Sequence, residues 1–192
     1  MQVGASKGTR MIRKAVFLSW FTIIYNLIEG AVSIGFGVAE ESVALAGFGV
    51  DSLIEVASAF IILWRFRSES EAGTGTSVAG TGLSLERERG ATLGIGILFL
   101  ILAGITFSAS VVQLLGRNHP ETTLPGVVIS SLSLSFMFWL WRSKKKVAIA
   151  LNSAAMMNDA ACSLACIKLS GVLLAGSLLF YLVPELWWVD SV

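Results

Sequence analysis

Charge, histidine and cysteine are scarce in this chain of 192 residues. Only 14% of it is charged, it has one histidine and two cysteines, and 55% is hydrophobic, with a mean hydropathy of +0.77. So little charge cannot cover a soluble domain of this size, and the composition is that of a polytopic membrane protein. A net charge of +1 excludes nucleic-acid binding driven by bulk charge, since the basic residues form short clusters at the ends of apolar runs and no basic groove. The two cysteines, Cys162 and Cys166, lie within one apolar stretch and do not make a secreted disulfide framework. His119, in GRNHPETT, has no second histidine or nearby cysteine to complete a metal site; it reads as a solvated loop residue, or as an aid to cation entry. The two GTG triplets in residues 65–89 have no strand before them and no Lys-Ser or Lys-Thr after them, which excludes a phosphate-binding loop. A cleaved signal peptide is not expected, because the first apolar run exceeds about 20 residues and contains Glu29.

What is present is a series of long apolar runs, each of about the 20 residues that cross a hydrocarbon core of roughly 30 Å as a helix. The expected fold class is all-α: a single transmembrane domain over 1–192, with spans at about 15–38, 42–64, 91–115, 124–141 and 147–183. Residues 65–90, rich in Ser, Gly, Thr and charge, read as a flexible cytoplasmic loop. The very short link at Glu40 and Glu41 makes the first two spans antiparallel neighbours. In the third span Gly94, Gly96, Ala103 and Gly104 would let another helix approach closely. The fifth stretch, about 37 residues or roughly 55 Å of helix, must tilt or break, with Gly171 and Gly176 as the expected break points.

Orientation follows from the basic residues. Lys7, Arg10, Arg13 and Lys14 precede the first span, Arg65, Arg67, Arg87 and Arg89 flank the loop, and RSKKK (142–146) follows Trp139 and Trp141, which mark an interface. All three clusters fall on one side, so the N-terminus is expected in the cytoplasm. RSKKK is also expected to touch anionic lipid. The location expected is the plasma (inner) membrane.

Three acids interrupt the first two spans. Asp51 and Glu55 are four residues apart and so share one helical face, while Asn26 and Glu29 form a similar pair in the first span, presented towards Asp51 by the short turn. A charge at the bilayer centre costs about 2.5 to 3.5 kcal/mol on the insertion scale, so such acids are functional candidates. Either they hydrogen-bond to neighbouring helices, or Asp51 and Glu55 are half of a divalent-cation site. In the fifth stretch Asp159, Cys162, Ser163 and Cys166 fall at i, i+3, i+4 and i+7, again one face. Carboxylate and thiolate on one face are metal-ligand chemistry suited to zinc or softer ions, although free cysteines are also commonly small buried residues. An intrahelical disulfide at this spacing is geometrically poor.

The segment SVALAGFGVDSLIE, from Ser42 to Glu55, resembles the second helix of the cation diffusion facilitator (cation efflux) superfamily, whose two acids four apart bind the transported ion. LNS-x-x-M-x-x-D and LWRF-R resemble the small zinc-transporting members that lack a cytosolic C-terminal domain. The family's fifth helix carries an Asp, a His three residues on and an Asp four further; here these positions are Asp159, Cys162 and Cys166, so the spacing is kept and the ligands change. The resemblance implies metal ligation by Asp51, Glu55, Asp159, Cys162 and Cys166, with Glu29 as a neighbouring acid. An alternative register leaves Asp159 as the ligand with the cysteines beside it. WWVD at 187–190 resembles the segment before the family's sixth helix, so the expectation is five visible spans and a truncated sixth.

The activity implied is export of a divalent cation, zinc or cadmium-like, in exchange for protons by alternating access, by a homodimer in a lipid bilayer. The ion is transported and no cofactor is permanently bound; no enzyme activity and no nucleic-acid partner are expected. Carboxyls and thiols must lose protons to bind metal, which suits such exchange. Rival readings are a proton-coupled exporter of organic cations built on an acid such as Glu29, and a non-transporting metal-sensing membrane subunit. A membrane oxidoreductase would be expected to show Cys-x-x-Cys, whereas three residues separate Cys162 and Cys166.

Overall fold

The structure is a computed structural model, and it describes residues 2–39, 42–71, 82–116 and 124–182. These form five helices: α1 Gln2–Ala39, α2 Val43–Glu71, α3 Gly82–Gly116, α4 Leu124–Leu151 and α5 Ala154–Leu182. No strand occurs among the described residues. Four helices, α1, α2, α3 and α5, are long and apolar enough to cross a membrane; α4 carries four serines and the RSKKK segment along its length. His119 and the WWVD segment lie outside the described residues.

The bundle wears its large apolar side chains on the outside. Phe17, Ile24, Ile28, Leu100, Phe107 and Leu132 are exposed, while a polar stripe on α1 (Ser19, Thr22, Asn26, Glu29, Ser33) is buried. In water that distribution would be unfavourable; against lipid tails it leaves hydrocarbon facing hydrocarbon. Three of these buried groups are satisfied locally, for Ser19 Oγ, Thr22 Oγ1 and Asn26 Nδ2 each donate to a carbonyl one turn earlier, whereas Ser33 Oγ and Asn26 Oδ1 have no hydrogen-bond partner among the described residues.

The first two helices form an antiparallel hairpin, as the short link predicts. Ser42 caps α2 by accepting from Leu45 N at 3.2 Å, and its own N–H closes the turn onto Gly37 O at 2.9 Å. Glycine lets the backbones touch: a Cβ on Gly37 would lie 2.5 Å from Ala46 N, and one on Gly49 would lie 2.6 Å from Ile34 Cγ1 and 2.9 Å from Ile34 N. In α3, by contrast, a Cβ on Gly96 or Gly104 would meet nothing within 4 Å, and Ala103 is exposed. Only Gly94 of that expected set approaches another helix of this chain, at 3.2 Å from Ile61 Cδ1.

Two expected boundaries move. The 65–90 loop is shorter than its composition suggests, because α2 continues to Glu71 and α3 starts at Gly82; residues 72–81 lie outside the described residues. Arg65 and Glu88 hold these helical extensions together through a 2.6 Å ion pair. The stretch 147–183 is not one helix. It is broken at Asn152 and Ser153, not at Gly171 or Gly176, through which α5 runs uninterrupted. Asn152 takes the left-handed conformation (φ 48°) that asparagine tolerates after a helix C-terminus, and Ser153 N returns to Ala148 O at 3.1 Å. Ser153 then caps α5, accepting from Met156 N at 3.1 Å. Glu88 of α3 joins this corner, accepting from Ala155 N at 2.7 Å and from Ser153 Oγ at 2.8 Å. A single carboxylate thus ties α2, α3 and the start of α5.

Candidate cation site

The face of α2 that carries Asp51 and Glu55 continues through Ser58, seven residues on, and all three are buried. It packs on α5, whose Asp159, Cys162, Ser163 and Cys166 are likewise buried. Ser58 Oγ donates to Asp159 Oδ1 at 2.7 Å, and Ser163 Oγ donates to Glu55 Oε1. The Cys166 thiol faces Asp51, and Cys162 lies beside Ser58; both thiols are free. The two helices that sequence spacing singled out therefore face each other across the bundle.

Between them stands Lys144. Its Nζ is 3.0 Å from Asp159 Oδ2 and 3.4 Å from Glu55 Oε1, and the three side chains are 0%, 0% and 1% exposed. The approach to Asp159 Oδ2 is an ion pair outside hydrogen-bonding alignment, while the one to Glu55 Oε1 is a hydrogen bond. One of the four basic residues of RSKKK, a segment expected to touch anionic lipid, is therefore enclosed in the bundle. Helix α4 continues through the segment, so Arg142, Lys145 and Lys146 face outwards and Lys144 faces in. The signal was in the period: buried Ser133, Met137 and Leu140 of α4 lead by helical steps to 144 and then to Val147 and Ala148. Cationic composition masked it. A buried pair of this kind adds little net stability, yet removing one partner typically costs about 3 to 5 kcal/mol because the other charge is stranded.

Glu29 sits on the neighbouring hairpin. Its Oε1 accepts from Tyr25 Oη at 2.8 Å and its Oε2 from Ser52 Oγ at 3.0 Å, next in sequence to Asp51. Ser52 also lies 3.2 Å from Phe48 O, so its one proton serves either acceptor. Both Glu29 oxygens have donors, whereas Asp51 Oδ2 and Glu55 Oε2 are buried without a hydrogen-bond partner. Spare acceptor capacity thus lies on α2 and, at Asp159 Oδ2, on α5. As the side chains stand, no three of His, Cys, Asp and Glu converge as a metal-holding group among the described residues.

Glu29→Gln separates supporting from incidental roles. Were this cluster to bind a divalent ion, its affinity should change by about 10- to 100-fold, the usual effect of losing an outer hydrogen-bonding partner of a metal site. An unchanged affinity would make Glu29 a packing residue.

A helical bundle with an apolar exterior, four candidate membrane-spanning helices and a buried acidic interior is an integral membrane protein. No family model matches the chain.

Proposed function

We propose that this protein exports a divalent cation, zinc or cadmium, across a membrane in exchange for protons, as a homodimer with its N-terminus in the cytoplasm. The observation that carries the reading is the buried charge. Glu29, Asp51, Glu55 and Asp159 are enclosed in the bundle with Lys144 between Glu55 and Asp159, and, among the described residues, carboxyl oxygens on Asp51 and Glu55 have no hydrogen-bond partner. Such an interior attracts cations, and its carboxyls and thiols exchange protons for metal. The cargo would bind Asp51, Glu55 and Asp159, with Cys162 and Cys166 supplying sulfur. This is transport of the ion, and no chemical conversion is proposed. Zinc uptake into proteoliposomes driven by a proton gradient tests it; no metal flux from correctly folded protein would overturn metal export and leave a sensing or scaffold role or a different cargo.

Sulfur should show in selectivity. Cys162→His with Cys166→Asp is expected to keep zinc transport and lower the cadmium-to-zinc affinity ratio about tenfold, because imidazole and carboxylate are harder ligands than thiolate. An unchanged ratio removes the cysteines from the ligand set and leaves Asp159 with Asp51 and Glu55.

One observation favours organic cations as an alternative cargo. A groove of about 310 Å³ is lined by Phe21, Ser135, Phe136 and Trp139, and Tyr25, which donates to Glu29, packs 5.0 Å from Phe136. Aromatic faces near an acid suit a bulky cation. Competition of zinc flux by tetraphenylphosphonium distinguishes the two.

A further inference from the structure

We infer that Lys144 is a tethered resident cation: it occupies the place between Glu55 and Asp159 that the divalent cargo takes, and the two compete. The inference rests on the proposed cation transport and adds how that site is kept when empty of cargo.

The geometry places a cation there. Two carboxylates buried at 1% and 0% exposure share one ammonium within 3.4 Å and 3.0 Å, and the other close groups are hydroxyls: Ser58 on Asp159 and Ser163 on Glu55. Cys162 of α5 and, one turn along α2, Asp51 complete the polar surroundings. One ammonium against Glu55 and Asp159 leaves a formal charge of minus one, whereas one divalent ion brings it to zero. Exchange is therefore favourable in charge but mutually exclusive in space, since a metal bound to the same oxygens needs the volume that Nζ fills. This accounts for the lack of a ready three-ligand metal group among the described residues. The side chains are held to Lys144, and metal ligation requires them to turn. The lysine can leave, because its neighbours Arg142, Lys145 and Lys146 lie on the outer surface of the same helical turn or the next. A four-carbon stem lets an ammonium swing from an enclosed position towards that polar margin. A resident cation also keeps the emptied site from stranding two carboxylates in the bundle, so cargo release is followed by return of the tether.

The test is isothermal titration of the detergent-solubilised full chain with zinc and cadmium chloride, comparing wild type with Lys144→Met and Lys144→Arg. Lys144→Met should bind zinc about tenfold more tightly or better and turn over more slowly in proteoliposomes, while Lys144→Arg stays near wild type. Should the Met variant fail to stay monodisperse, Lys144→Gln replaces it. Amine-reactive labelling read by mass spectrometry gives a second measurement on wild type: Lys145 and Lys146 should label throughout, and Lys144 only as zinc is added, with the midpoint of binding. Unchanged or weaker zinc affinity in the folded Met and Gln variants, or a Lys144 that stays protected at saturating zinc, overturns the inference. Transport that is intact in those circumstances leaves the exporter reading standing. Conversely, tighter binding in Lys144→Met with no proton-driven flux in wild type sinks the exporter reading and keeps the competition. Absence of zinc and cadmium binding in every variant overturns both.

Discussion

Asp51→Asn should abolish zinc and cadmium efflux while the protein still inserts at normal levels. Asparagine keeps the shape of the side chain and removes its charge, in a position where Oδ2 has no hydrogen-bond partner to lose. Folding therefore has little to suffer, since the carbonyl oxygen of asparagine can keep the contact with Cys166. Transport has much to lose. Removing even an outer partner of a metal site typically costs about 10- to 100-fold, so losing a charged ligand should cost at least about a hundredfold. Growth of a metal-sensitive strain reads this directly, with expression matched by immunoblot. Resistance equal to wild type would falsify the assignment of Asp51 as a ligand.

Gly49→Val should disrupt the bundle itself. A Cβ at that position would come within 2.9 Å of Ile34 N and 3.0 Å of Gly30 O, which belong to helix backbone and cannot rotate aside as a side chain can. Helices α1 and α2 would have to separate, and the Glu29–Ser52 hydrogen bond across them would lengthen. Overpacking costs about 1 to 3 kcal/mol and sometimes more, a large fraction of a typical folding free energy. Gly47 is the control, since a Cβ there meets nothing within 4 Å and Gly47→Ala should leave stability unchanged or slightly raised. Thermal unfolding in detergent, followed by monodispersity on gel filtration, measures both; equal melting of Gly49→Val and wild type would show that the close contact carries no weight.

Helix positions were legible because their cause is local. Long apolar runs dictate membrane-length helices, and i, i+4 spacing dictates that Asp51 and Glu55 share a face, as do Asp159, Cys162 and Cys166. The hairpin of α1 and α2 followed from a link too short to do anything else. The break between α4 and α5 is legible in principle, since Asn-Ser offers a left-handed residue followed by a cap, although glycine, the commoner residue after a helix C-terminus, stands further along at 171 and 176. Of Gly94, Gly96, Ala103 and Gly104 in the third span only Gly94 meets another helix of this chain, because smallness permits close approach and only the neighbouring helix decides whether it occurs.

By itself the sequence determined the all-helical, membrane-directed character of the chain and the two acidic and thiol-bearing faces, because hydropathy and helical period are properties of the chain taken alone. The tertiary structure alone decided which faces meet. It set α2 against α5 so that Ser58 reaches Asp159 and Ser163 reaches Glu55, more than 100 residues apart in sequence. It also turned one lysine of a basic run into the interior, where two enclosed carboxylates bind an ammonium that an isolated helix would leave to solvent. Pairing of buried charge depends on where other helices put their acids, and no local pattern contains that information.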